Sequence, residues 1–406
     1  MVKTNNLEAV VAPWFFVMYI FGFGSFRQSV PMSTAAPRFR KGFQIFCCLF
    51  GIFCLIGQIL ESTDLLCWNL SRLKDTTWSA EQIVDVFVYY QTFVVIVVGS
   101  MYLMATVHHW LEFVHQIQLK YGHHLTATWK WCTMTFIVAA SGRIIYTAVK
   151  SVFEEVTRLE RAEFCIPVVV NTRNSVTKRL KCYVKLCALA NTVGIDIARY
   201  TIAVAGFSVG YCFGGLSIAF SERFSSTNYL EDLLQDHAAL GEMVFRFDRV
   251  VSPVLFAICM YALTTLMNIA KRIMLQEARS LLELLPELID ITLLTWSLIY
   301  LAEQAGALKK VLQKFLQSPG SQFLDKYQRH RFAAHLHRLT FESVGMTLLK
   351  TIVIDRGFVV TIISAAVTYM LLFWELREKQ FGESEMKEKY VLRTELIANI
   401  TCNNVR

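Results

Sequence analysis

Thr361, Ala365, Thr368, Leu372 and Glu375 recur at spacings of four, three, four and three. At 3.6 residues per turn they share one helical stripe, small and hydroxyl-bearing along its length and closed by a carboxylate. Such a stripe suits a water-facing or helix-facing side rather than lipid. His108, Glu112 and His115 share another helical face, with His109, His123 and His124 nearby. Their spacing matches no established zinc motif, so they read as a solvated helix face, and neither a metal nor any other cofactor is expected. No catalytic set stands out, and an enzyme is not expected. Arg143 lies inside an otherwise apolar run, where a charge needs a partner or a function.

The first stripe belongs to the segment 354–376. The 18 residues between Arg356 and Glu375 are uncharged, which just reaches the length of a membrane-spanning helix. The whole chain agrees: its 406 residues are 54% hydrophobic and 18% charged, with a mean hydropathy of +0.42. That balance belongs to an all-α polytopic membrane protein, here expected in the plasma membrane with lipid around it. The net charge of +8 comes from basic residues flanking hydrophobic segments, which are topology signals rather than nucleic-acid contacts.

Seven spans are expected, at about 43–60, 84–107, 129–149, 197–220, 250–270, 289–305 and 354–376. Arg38, Arg40 and Lys41 hold the amino terminus in the cytoplasm, and eight Lys and Arg against Asp325 and Glu342 hold 306–350 there. Sequons at Asn69 and Asn399 then both face outward, as seven spans require. The organisation that follows is a cytoplasmic segment 1–42 with a short re-entrant or interfacial helix, spans one to four with their loops over 43–227, spans five and six with cytoplasmic helical extensions over 228–351, the last span over 352–376, and an extracellular tail 377–406. A first transmembrane helix is the alternative for the Pro13-interrupted run near the start.

Leu230, Leu233, Leu234, Leu240 and Val244 predict a helix from about 228, ahead of span five. The stretch 325–350 predicts another, with Phe332, Leu336, Leu339 and Met346 along one side. The charged segment 150–196 reads as a long external connection. Pairing among Cys67, Cys165, Cys182, Cys187 and Cys402 cannot be read from sequence.

Thr368-Tyr369, five apolar residues and Glu375-Leu376 resemble the last-helix signature of the insect gustatory and odorant receptor superfamily, which is Thr-Tyr, five hydrophobics, Gln-Phe. Glu375 replaces the Gln and Leu376 the Phe, which implies a divergent branch with its own ion preference. Asp355-Arg356 stands at the family's usual distance before the Thr-Tyr pair, and Leu234, His237 and Leu240 resemble the stretch preceding span five. The resemblance implies a ligand-gated, non-selective cation channel, homotetrameric or heterotetrameric with related subunits. Its central pore would be lined by the last helices, with the gate at Leu372, Glu375 as the ion-selective position and Thr361, Ala365 and Thr368 along the wall. The shared anchor would be 228–249 and 325–350.

The resemblance also implies a pocket for a small-molecule tastant among spans two to six, in the outer half of the membrane. Tyr89, Tyr90, Gln91, Arg143, Tyr146, Tyr200, Tyr261, Asn268, Thr295 and Trp296 lie at that depth, where rings can stack on a ligand and polar groups can bond it. The alternatives are a seven-span G-protein-coupled receptor or a membrane transporter. Phe247-Asp248-Arg249 is misplaced for the receptor's Asp-Arg-Tyr motif, and no repeated hydropathy halves suggest a transporter.

Overall fold

The computed structural model describes residues 49–57, 80–159, 175–222, 227–274, 279–318, 324–341 and 344–365, with scattered positions between 7 and 63, at 322, and between 367 and 375. The elements are α1 (Ala80–Tyr121), a 3-10 turn (Gly122–His124), α2 (Ala127–Leu159), α3 (Ser175–Glu222), α4 (Thr227–Met274), α5 (Arg279–Gln317), α6 (Lys326–Phe341), β1 (Thr347–Leu348), β2 (Ile352–Val353) and α7 (Arg356–Ala365). Helical backbone recurs beyond α7 at Val367, Thr368, Leu371, Leu372 and Glu375. Tyr369, Leu376, Asn69, Asn399, Cys67, Cys165 and Cys402 lie outside the described residues.

Helices α1 to α5 contain the segments expected as spans two to six, and each helix is longer than its segment. Helix α4 has 48 residues, about 70 Å at 1.5 Å per residue, against a hydrocarbon core of about 30 Å. The helix expected from 228 is therefore one piece with the segment expected as span five, and Leu230, Leu233, Leu234, Leu240 and Val244 are all buried. The long connection expected over 150–196 is corrected: α2 continues to Leu159 and α3 starts at Ser175. Hydropathy marks where a helix enters lipid, whereas the charged turns outside can stay helical. On α2 a stripe of Trp131, Val138 and Ile145 is 77%, 71% and 63% exposed, an apolar face directed out of the bundle as lipid contact requires.

The packing between α3 and α5 is the most extensive in the bundle. These helices run parallel, and Gly206, Gly210 and Gly214, recurring every four residues along α3, let them approach closely. A Cβ at Gly206 would meet Leu298, one at Gly210 would lie 3.0 Å from the Leu301 Cα, and one at Gly214 would lie 2.9 Å from Gln304. Backbones approach this closely only across small residues. At the far end Phe220 meets Phe315 edge-on at 5.9 Å, and Phe332 from α6 closes the trio at 6.2 and 5.7 Å. Beside them the buried His237 ring of α4 stands perpendicular to His335 of α6 at 5.6 Å.

The helix expected through 325–350 is also corrected. It stops at Phe341, and the chain turns into a two-stranded antiparallel hairpin pairing Thr347 with Val353 and Leu348 with Ile352. Met346 is buried as expected, but beside this hairpin and not on the α6 face. Leu349 and Lys350 at the turn both have positive φ, 49° and 60°, a type I′ geometry that non-glycine residues adopt at a cost of about 1–2 kcal/mol each. Tertiary contacts hold it. The Thr347 backbone N–H and its hydroxyl each donate to Asp248 at 2.6 Å, and the Lys350 N–H donates to Ser252 Oγ at 3.1 Å.

Near the amino terminus Leu7, Val11 and Trp14 occupy one helical face and are buried. The Leu7 N–H donates to Gln118 Oε1 at 2.6 Å, and Trp14 stands edge-on to Tyr200 at 6.4 Å. This segment packs into the bundle against α1 and α3.

Gly210→Val should lower stability by about 1–3 kcal/mol through overpacking against a backbone that cannot move aside, read as a lowered thermal unfolding midpoint in detergent. Burial and neighbouring His335 push His237 from 6.5 down to about 3. The unfolded chain gains that proton near pH 6.5, so the stability supplied by the neutral ring is full above pH 6.5 and drains as pH falls toward 3. His237→Phe should flatten the fall of the unfolding midpoint between pH 6.5 and 4.

Candidate functional site

Five charged side chains from three helices meet in a dry place. Arg143 comes from α2, Asp196 and Arg199 from α3, and Glu287 and Asp290 from α5, and all five are buried. The two pairs on α3 and α5 are each three residues apart, so both members of a pair share a helix face. The parallel glycine seam sets those faces against each other. Arg143 Nε lies 3.4 Å from Asp196 Oδ2 and 3.2 Å from Asp290 Oδ2, and its Nη2 donates to Glu287 Oε1. Arg199 Nη1 donates to Asp290 Oδ2 at 2.9 Å and lies 3.7 Å from Asp196 and 4.0 Å from Glu287.

Tyrosines frame the cluster. The Tyr200 hydroxyl donates to Asp290 Oδ1, Tyr146 lies under the Arg143 guanidinium at 5.7 Å, and Tyr261 of α4 lies under Arg199 at 5.8 Å. An adjoining pocket of about 20 Å³ has Asp196 and Tyr261 at its polar end and Gly99, Leu103, Val254 and Ile258 among its apolar walls. Three carboxylates against two guanidiniums leave one formal negative charge. Bonds remain to be made as well: among the described residues Arg143 Nη1, Arg199 Nε, Arg199 Nη2 and Glu287 Oε2 have no hydrogen-bond partner within the protein.

Of the residues expected near a ligand, Arg143, Tyr146, Tyr200 and Tyr261 therefore converge. Thr295 and Trp296 do not. The Thr295 hydroxyl bonds its own helix at Ile291, and Trp296, 46% exposed, stacks with Phe207 at 5.4 Å and Tyr300 at 5.9 Å on another face of α5. Tyr89, Tyr90, Gln91 and Asn268 lie within α1 and α4, but their side chains are outside the described set. Asp196, Arg199, Glu287 and Asp290 were missed. The signal that finds them is the i, i+3 acid–base or acid–acid pair at the start of two apolar spans, read together with the lone Arg143.

At the root of the last helix, Asp355 caps α7 by accepting from the Phe358 N–H at 2.9 Å, and Arg356 pairs with Glu303 of α5. Along the stripe, Thr361 and Thr368 return their hydroxyls to Gly357 and Ser364 at 2.9 Å. Thr361, Ala365, Thr368, Leu372 and Glu375 are all exposed on the single chain. On α1, the His108 and His109 rings lie tilted to each other at 3.7 Å, and His109 lies 4.0 Å from Glu112. Among the described residues no three His, Cys, Asp or Glu are grouped to hold a metal ion.

No protein-family model matches the sequence, and no curated protein matches it significantly. Solved structures do. The insect olfactory receptor OR5 from Machilis hrabei superposes with a TM-score of 0.67 at 13% identity, covering 90% of this chain and 98% of the receptor. The same receptor in complex with eugenol gives 0.64 at 12% identity, covering 92% and 100%. The chain thus has the fold of an insect olfactory receptor, a helical membrane protein.

Arg143→Met should lower stability by about 3–5 kcal/mol because it strands Glu287 in a dry site. Adding Glu287→Met should restore part of the loss, measurable as a double-mutant cycle on the unfolding midpoint.

Proposed function

We propose that the chain is a gustatory-receptor-like chemoreceptor of the plasma membrane, one subunit of a homotetrameric or heterotetrameric, ligand-gated, non-selective cation channel. The observation that carries this reading is the likeness of nine-tenths of the chain to an olfactory receptor, joined to the signature at Thr368-Tyr369 and Glu375-Leu376. By the charge rule its amino terminus is cytoplasmic and its carboxyl terminus outside, which puts the five-charge cluster in the outer half of the bilayer. A small-molecule tastant is assigned to that site, as eugenol is bound by the neighbouring receptor.

Two helices connect site and pore. Helix α5 carries Asp290 in the cluster and Glu303 on the Arg356 root, 13 residues apart, about 20 Å of helix. Helix α4 carries Tyr261 beside the cluster and Asp248 and Ser252 on the hairpin. A ligand that shifts either helix therefore pulls on the base of α7. The α7 stripe, exposed on one chain, finds its partners in the neighbouring subunits of a tetramer, with lipid on the outer sides. Leu372 forms the gate and Glu375 the cation-attracting ring.

The test is whole-cell recording from cells expressing the chain alone and with related subunits, across a tastant panel. Leu372→Ala should raise the basal cation current severalfold, and Glu375→Gln should lower divalent relative to monovalent permeability. Currents indifferent to both substitutions would remove Leu372 and Glu375 from the pore.

A further inference from the structure

From the pairing pattern within the five-charge cluster we infer that this site binds a small neutral α-amino acid as a zwitterion, an inference that rests on the ligand site assigned above. All three ion pairs of Arg199 pass through Nη1. Among the described residues its Nε and Nη2, which form the side-on fork that matches a carboxylate, have no hydrogen-bond partner, although the residue is only 1% exposed. Arg143 likewise spends Nε and Nη2 on Asp196, Asp290 and Glu287 and keeps Nη1 unbonded. On the acidic side Glu287 gives Oε1 to Arg143, while Oε2 has no hydrogen-bond partner. Buried polar atoms without partners are costly, and here they comprise three donor nitrogens and one acceptor oxygen.

A carboxylate answers the donors and an ammonium answers Glu287. Charge selects between a ligand with one of these groups and a ligand with both. The cluster already holds an excess negative charge, so a simple carboxylate would double it, and a simple amine would leave the Arg199 fork unpaired. A zwitterion brings no net charge and satisfies both sides. The adjoining apolar pocket, about 20 Å³ between Leu103, Val254, Ala257 and Ile258, is close to the volume of one water or one methyl group. It fits the side chain of alanine. Larger side chains must spread α1 from α4, which touch where a Cβ on Gly99 would lie 3.1 Å from Ala257.

The experiment uses purified full-length protein in detergent, with binding followed by titration calorimetry and by the unfolding midpoint. The probes are L-alanine, alaninamide, which lacks the carboxylate, and propionate, which lacks the ammonium. L-alanine should bind at least tenfold more tightly than either, and Arg199→Lys and Glu287→Gln should each weaken it tenfold or more. Comparing the three probes on the unsubstituted protein decides the matter even where a variant fails to fold. Equal binding of the three, or binding of none, overturns the inference. Binding that evokes no current in cells would leave it standing and remove the channel reading, whereas tastant-evoked current without alanine binding would do the reverse.

Discussion

Close contact between α3 and α5 is the constraint on which the rest of the bundle depends. Two helix backbones meet only where side chains step aside, and the four-residue repeat of Gly206, Gly210 and Gly214 removes them along one face. The contact is parallel, so it aligns like ends of the two helices. Asp196 and Arg199 come level with Glu287 and Asp290 at one end, and Phe220 comes level with Phe315 at the other. A wider separation would leave the charges apart in an apolar medium and the aromatic trio open.

The charge cluster is dearly held. Removing ions from water costs several kcal/mol each, so ion pairs in such a place are weak grounds for stability and better grounds for a role. Three helices converge on it from separate parts of the chain, and Tyr261 adds a fourth. Among the described residues its members are not fully matched with one another.

At the other end of the path a strained turn meets a polar clasp. Leu349 and Lys350 hold left-handed backbone conformations, kept there by Asp248 and Ser252 of α4. Burial raises the Asp248 carboxyl above its ordinary range while the two bonds from Thr347 oppose that rise. Strain in the turn is balanced by a few hydrogen bonds from another helix. The last helix leaves this turn with its whole stripe exposed on the single chain.

Much of this was legible in the residues. Length and hydropathy marked segments that lie within long helices, the Leu230 to Val244 spacing marked the α4 extension, and Thr368-Tyr369 with Glu375 pointed to the fold that the olfactory receptor shares. The lone Arg143 announced a partner. What the linear pattern could not carry was which partner, because Asp196 and Glu287 are 53 and 144 residues away and meet it only through the α3–α5 seam. Local pattern also misread the stretch after Phe341. Its apolar spacing suits a helix, but two hydrogen bonds from Thr347 to Asp248, 99 residues distant, hold it as a hairpin instead. Periodicity and composition are set by neighbours in sequence, and they determined where helices lie and which faces are apolar. Charge pairing and backbone strain depend on atoms brought together across the chain, and only the tertiary structure decided them.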